Sequence, residues 1–202
     1  MKTLIIMPYF LRGRKQLPDW FQLFLNSCEH NFDFEWLLLT NTTEEYRYPQ
    51  NVHVEILDFE RLRTYIQSKF DFPISLEREY KLCDYKPLYW YIFADKLKGY
   101  DFWGYCDSTD LIFGDISKFI TEEIMDKYDK IYWKGHLTLY RNQTCFTECL
   151  MNYSKNGKSY KTVISDTENH AMDEVGDINV SDAWKEQGYS VYINDLEIAD
   201  IS

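Results

Sequence analysis

Three short apolar runs near the start of the chain, at residues 4–7, 34–39 and 52–57, constrain the fold more than any other feature. The first is apolar without interruption and the second is broken only by Glu35, so a strand built from either is expected to be covered on both faces, as in a parallel sheet. The third alternates through Val52, Val54 and Ile56. Between and after these runs the apolar period changes. Trp20, Phe21, Phe24, Leu25 and Cys28 recur at helical spacing behind Pro18 and Asp19, a proline for the first turn and an acid for the helix dipole. Phe59, Leu62, Ile66 and Phe70 mark a second helix over 59–70. Strands that alternate with helices predict an α/β fold, with a mostly parallel central sheet and helices on both faces.

Further along, Asp84 is placed to cap a helix with Pro87 in its first turn, running to Leu97 and ending near Gly99. A strand is expected over 100–114, broken at 107–110 and resumed by Leu111, Ile112 and Phe113. Ile116, Phe119, Ile120 and Ile124 predict a helix. Strands at 130–133 and 137–140, a helix at 143–153, a polar loop at 154–160 and a last strand at 191–193 complete the reading. This C-terminal part is the more irregular and the more antiparallel. At 202 residues, with no internal repeat, linker or low-complexity tract, the chain is expected to form a single domain.

A net charge of -11 opposes binding to nucleic acid, and no nucleic-acid partner is expected. Such a chain can still hold an anionic nucleotide if a divalent metal and a few local cations supply the missing charge. The 17 Tyr and 6 Trp are rich for an ordinary domain, so some rings are expected on a binding surface, the alternative being a Tyr-rich core and rim. The cysteines, Cys28, Cys83, Cys106, Cys145 and Cys149, form neither a disulfide framework nor a zinc pattern, and suit a reduced, cytoplasmic protein. The apolar run at the N-terminus stops at Pro8, too short for a signal peptide, and no stretch has the length of a membrane span.

In open parallel sheets, ligands bind beyond the carboxyl ends of the strands. Three loops qualify here: 8–15, with the cations Arg12, Arg14 and Lys15; 40–45; and 107–110. The third carries two carboxylates, Asp107 and Asp110, between apolar flanks. Carboxylates so placed are costly unless they meet a cation. A hard ion such as Mn²⁺ or Mg²⁺ takes oxygen ligands and shares them with substrate phosphates, so one or two protein acids suffice. The simpler alternative is a polar turn in which Asp107 closes an Asx turn.

The stretch Phe102-Trp103-Gly104-Tyr105-Cys106-Asp107-Ser108-Thr109-Asp110, followed by Gly114-Asp115, resembles the DxD region of GT-A glycosyltransferases. More closely, it resembles a bacterial and viral family assigned as glycosyltransferases, in which a WG-x-CD-x-D-x-x-x-GD stretch recurs. Met7-Pro8-Tyr9-Phe10, Trp20-Phe21, Trp36-Leu37-Leu38-Leu39-Thr40, Asp84-Tyr85-Lys86-Pro87 and the stretch from Gly135-His136 to Asn142 match the same family in order and spacing. The resemblance covers roughly the first 145 residues. Two residues, Ser108 and Thr109, separate the acids where the family has one.

The resemblance implies a Rossmann-like GT-A fold. Residues 1–115 would form the nucleotide-binding half and 116–202 the acceptor-side half. It implies transfer of a sugar from a nucleotide-diphosphate donor to a glycan or other hydroxyl acceptor. Asp107 and Asp110 would hold the metal or the donor ribose. Pro8, Tyr9 and Arg12 would face the base or phosphates, and Thr40 and Asn41 the uracil or ribose. Lys86, with Asp84 close by, would contact the sugar or diphosphate, and His136 the donor or acceptor. Asp173 and Glu174 are the acids nominated as general base, with Asp166 and Asp177 as competitors. Two rival readings stand beside this one: a non-catalytic protein that binds a sugar or nucleotide-sugar, and a Mg²⁺-dependent phosphohydrolase that also uses paired aspartates after a strand.

Overall fold

The computed structural model describes residues 1–11, 13, 17–107, 111–174, 176 and 178–194, with the backbone alone over 144–147. In chain order the elements are β1 (Thr3–Tyr9), α1 (Phe21–Glu29), β2 (Phe34–Thr40), β3 (Val52–Ile56) and α2 (Phe59–Gln67). A 3₁₀ segment, Glu79–Leu88, leads into the single turn α3 (Tyr89–Ile92), then β4 (Phe102–Cys106), α4 (Glu122–Lys127), β5 (Lys130–Ile131) and β6 (Leu137–Arg141). After α5 (Thr144–Met151) come β7 (Ser154–Lys155), β8 (Lys158–Ser159), α6 (Tyr160–Ser165), α7 (Val180–Glu186) and β9 (Val191–Tyr192).

Seven of these strands form one sheet in the order β3-β2-β1-β4-β6-β5-β9. The pairs β1/β2, β2/β3, β1/β4 and β5/β9 are parallel, and β6 runs against both of its neighbours. The period of two along the apolar runs loads both faces. Leu4, Ile6, Leu37, Leu39, Trp103 and Tyr105 pack on one side with Leu62, Ile66, Tyr85, Leu88, Val163 and Trp184. Ile5, Met7, Trp36, Leu38, Phe102 and Cys106 pack on the other with Phe21, Phe24, Leu25, Ile116, Ile120 and Met125. The chain is therefore α/β with a mostly parallel sheet covered on both faces, as expected. Among the described residues no helix is long and apolar enough to cross a membrane.

Several local expectations are corrected. Residues 111–113 do not resume a strand: β4 is already flanked by β1 and β6, and the chain leaves the sheet at Asp107. Phe113 instead packs its ring against Phe24 and Trp36. The helix expected from Asp84 begins earlier, as a 3₁₀ turn from Glu79 that contains both Asp84 and Pro87. The helix expected from Ile116 divides into a 3₁₀ turn, Ile116–Lys118, and α4, whose N-terminus Thr121 caps by accepting from the Ile124 amide. The expected polar loop at 154–160 is a tight hairpin, β7 paired with β8. Asn156 and Gly157 both have positive φ, 54° and 76°, as a two-residue hairpin turn that matches strand twist requires.

The order β3-β2-β1-β4 creates a divide. The chain proceeds from β1 to β2 and β3 on one side, while β4 lies on the other. The loops leaving β1 and β4 therefore part from each other at their carboxyl ends and open a crevice, the position at which doubly wound sheets receive ligands.

Candidate functional site

A cavity of about 540 Å³ occupies that crevice. Its walls include Pro8, Tyr9 and Phe10 from the end of β1, Cys106 and Asp107 from the end of β4, and Glu79, Cys83, Lys86 and Tyr89 from the 3₁₀ segment and α3. His136 and the segment Asn169, Ala171, Asp173 and Glu174 close it. Residues that begin far apart in sequence are thus brought to one place by the sheet order.

Lys86 organises the floor. Its ammonium donates to Asp107 Oδ1 at 2.7 Å and to Asp173 Oδ2 at 2.8 Å. The Lys86 and Asp173 side chains are only 11% and 6% exposed, whereas Asp107 is 45% exposed and presents its carboxylate to the cavity. Burial opposes the charge on Lys86, but the two acids outweigh it and raise the lysine pKa, so it remains an ammonium. Asp173 is shifted upward, first by burial, against the pull of Lys86 and with repulsion from Glu174 and Asp107. Burial, helped by the neighbouring acids, outweighs the lysine and leaves Asp173 a stronger base than an ordinary aspartate.

The segment that carries Asp173 and Glu174 is fixed from below. Lys81 and Asp84, 1% and 0% exposed, form an ion pair at 2.8 Å. Asp84 also accepts from the His170 amide, at 3.0 and 3.2 Å to its two oxygens, and from the Met172 amide at 3.0 Å. Lys81 donates to the carbonyls of Val163 and Glu168. From above, Glu174 Oε1 accepts from the Gly135 amide at 2.7 Å, and the Tyr105 hydroxyl donates to the Asp173 carbonyl at 3.2 Å. Gly135 allows this closeness: a Cβ there would lie 2.9 Å from both Asp173 Oδ2 and Lys86 Nζ, and 3.1 Å from Glu174 Oε1.

Three further polar atoms in the wall, Tyr89 Oη, His136 Nδ1 and Asn169 Oδ1, are buried without a hydrogen-bond partner among the described residues. Buried polar groups are nearly always paired, and each exception calls for a reason. The three residues that carry these atoms all contribute to the wall of one cavity. Cys83 lines it too, but burial pushes its thiol up to about 12, with Asp84 and Asp173 adding to the shift, so it is a poor source of thiolate.

The residues expected at the site divide into three groups. Pro8, Tyr9, Lys86, Asp107, His136, Asp173 and Glu174 all line the cavity. Thr40, Asn41 and Asp84 do not. Thr40 is wholly buried and its Oγ1 accepts from the Thr42 amide, while the Asn41 side chain pins the backbone of Leu11 at 2.7 and 3.3 Å. Asp84 is wholly buried beneath the site, so direct donor contact, and the role of helix cap, give way to support of the 170–172 backbone. Arg12, Asp110 and Asp177 lie outside the described residues, and Asp166 pairs with His170 at 2.9 Å away from the cavity lining. Sequence reading missed Tyr89 and Asn169. Tyr89 stands three residues after Lys86, one 3₁₀ turn on, and that spacing was its only signal.

Among the described residues no group of three or more His, Cys, Asp or Glu is arranged to hold a metal. The described lining carries the acids Glu79, Asp107, Asp173 and Glu174 beside Lys86. A divalent cation needs few protein carboxylates where phosphate oxygens complete its shell.

Among solved structures, this chain is matched with the bifunctional IspDF from Campylobacter jejuni at 8% sequence identity and a TM-score of 0.45. The similarity covers 95% of this chain and 49% of that one, so this chain spans about half the length of that protein. No curated protein matches the sequence. A family profile matches residues 5–202, and the chain belongs to DUF6625, a family of unknown function.

Proposed function

We propose that this protein is a glycosyltransferase of the GT-A type, taking a sugar from a nucleotide-diphosphate donor and passing it to a hydroxyl of a glycan acceptor. The observation that carries this reading is the content of one cavity at the divide between β1 and β4. Its wall includes an ion-paired lysine, a half-exposed aspartate at a strand end, a buried basic aspartate, and three residues with a buried polar atom that has no hydrogen-bond partner among the described residues. Hydroxyl-rich ligands donate and accept at once, which suits a mixed set of phenol, imidazole and amide. The volume also suits a ligand larger than a single sugar.

In this reading Asp107 and Asp110 hold Mn²⁺ or Mg²⁺, which when bound neutralises charge on the departing diphosphate. Lys86 points its ammonium at the same region and can turn one N–H from Asp107 to a phosphate oxygen. Asp173 accepts the proton of the acceptor hydroxyl as that oxygen bonds to the sugar's anomeric carbon and the bond to the diphosphate breaks. Its raised pKa favours that role. Tyr89, His136 and Asn169 hold sugar hydroxyls, and Pro8 and Tyr9 border the nucleotide.

The test is sugar transfer from a panel of nucleotide-sugars, followed as released nucleoside diphosphate. Asp173→Asn is expected to reduce turnover by about 10²-fold or more while leaving donor binding in place. Equal turnover in the variant would remove Asp173 from the chemistry. The occupation of Lys86 by two carboxylates favours one second reading, a non-catalytic nucleotide-sugar-binding protein. Donor binding with no turnover on any acceptor would select it.

A further inference from the structure

A second cavity lies beside the first. It measures about 260 Å³ and is bounded by Leu111, Ile112, Phe113, Ile116, Phe119 and Ile120, with Tyr132, Leu137 and His136 completing the wall. Its character is opposite to that of the acidic cavity. Among the described residues of its lining, the side chains other than Asp115 and His136 are apolar or aromatic. Ile112 and Phe119 at its edge are 61% and 48% exposed, apolar side chains left in water beside an apolar cleft. His136 lines both cavities, so the polar compartment and the apolar one are neighbours.

We propose that this cleft is a binding subsite for the apolar portion, a short alkyl chain or an aryl ring, of an amphipathic acceptor whose hydroxylated end lies in the acidic cavity. The proposal takes its acceptor from the transferase reading above. Three observations support it. An apolar cavity of about 150 Å³ accommodates a benzene ring, so 260 Å³ admits a ring or a short chain segment. His136 lines both cavities, which sets the apolar cleft directly beside the polar one, within reach of a single ligand. A purely hydrophilic glycan would gain nothing from a cleft of this lining, whereas each buried methylene strengthens binding roughly fourfold.

The experiment uses the full chain and a series of methyl, hexyl and octyl β-D-glucosides below their micelle-forming concentrations. Binding is followed by NMR at the methyl groups of Ile112, Ile116 and Ile120 and at the ring of Phe119. The expected result is that octyl glucoside perturbs these groups and binds at least tenfold more tightly than methyl glucoside. Phe119→Asp, a change at an exposed position that the fold tolerates, should abolish the chain-length dependence. No perturbation at any chain length, or equal affinity along the series, overturns the proposal. So does concentration-dependent dimerisation that Phe119→Asp abolishes, which would make the cleft a self-association face. The nucleotide-sugar reading is judged separately, at Lys86 and Asp107. Chain-length-dependent binding in a protein that ignores every nucleotide-sugar would leave the cleft standing and the transferase reading fallen.

Discussion

Lys86 and Asp173 meet at 2.8 Å across 87 residues of chain, both nearly buried, and join the end of the 3₁₀ segment to the segment that closes the cavity. Asp107 completes the arrangement from β4 at 2.7 Å, but from a half-exposed position. The two acids therefore depend on the lysine to different degrees.

Removing the lysine leaves Asp173 buried and unpaired. Lys86→Met is expected to lower unfolding free energy by about 3 kcal/mol, the lower end of what breaking a buried pair costs. Asp107→Asn should cost less than about 1 kcal/mol, because an exposed partner contributes little, and should still abolish donor binding. Urea denaturation of both variants checks this. Equal destabilisation would make Asp107 a structural residue.

Gly135→Ala separates site from fold. The added methyl collides with the ends of the Lys86, Asp173 and Glu174 side chains, which move, rather than with backbone, which does not. The expected stability loss is about 1–3 kcal/mol, as for modest overpacking, with donor affinity reduced at least tenfold. Calorimetric titration of the variant with the donor decides it, and wild-type affinity would mean that the Lys86–Asp173 geometry is irrelevant to binding.

Asp84 supports the site without lining it. Asp84→Ala should release the His170 and Met172 amides and expose them to hydrogen exchange, while amides of β4 stay protected. Turnover should fall together with that protection, because Asp173 follows Met172 directly. Unchanged protection at 170 and 172 would contradict the clamp.

Lys130 gives a pH signature away from the site. Its side chain is 1% exposed, it donates to the Tyr132 carbonyl, and burial, with Lys185 adding, lowers its pKa to about 7. The unfolded lysine keeps a pKa of about 10.4, so between these values the unfolded chain binds more protons than the folded one. Stability from this group therefore rises with pH from about 7 to about 10, and is flat below 7. Lys130→Met should flatten that rise relative to wild type in denaturation curves taken across the interval. Parallel curves would show that Lys130 stays charged when folded.

The sheet was legible because strands covered on both faces write nearly continuous apolar runs: β1 and β2 fall where residues 4–7 and 34–39 predicted them. Asp107 stood out because a carboxylate between apolar flanks is costly, whereas Lys86 was marked only by the family resemblance. Other features were not. Asp84 looked like a cap because helix starts and buried polar clamps use the same residue types, and only the 170–172 backbone, 86 to 88 positions away, distinguishes them. Leu111-Ile112-Phe113 looked like a strand because local pattern cannot report that both edges of β4 are already paired. The hairpin at 154–159 carried its signal in Asn156-Gly157, which an apolar-run reading passes over when the flanks are polar.

The account rests on the claim that the cavity between β1 and β4 receives a nucleotide-sugar with a divalent cation. A thermal-shift series with UDP-, GDP- and CMP-sugars, with and without Mn²⁺, tests it most directly. A ligand present at 100 times its Kd stabilises the folded state by about 2.7 kcal/mol. The account predicts a manganese-dependent rise in Tm for one nucleotide class, lost in Asp107→Ala. No rise with any donor, or a rise that Asp107→Ala leaves intact, would contradict it.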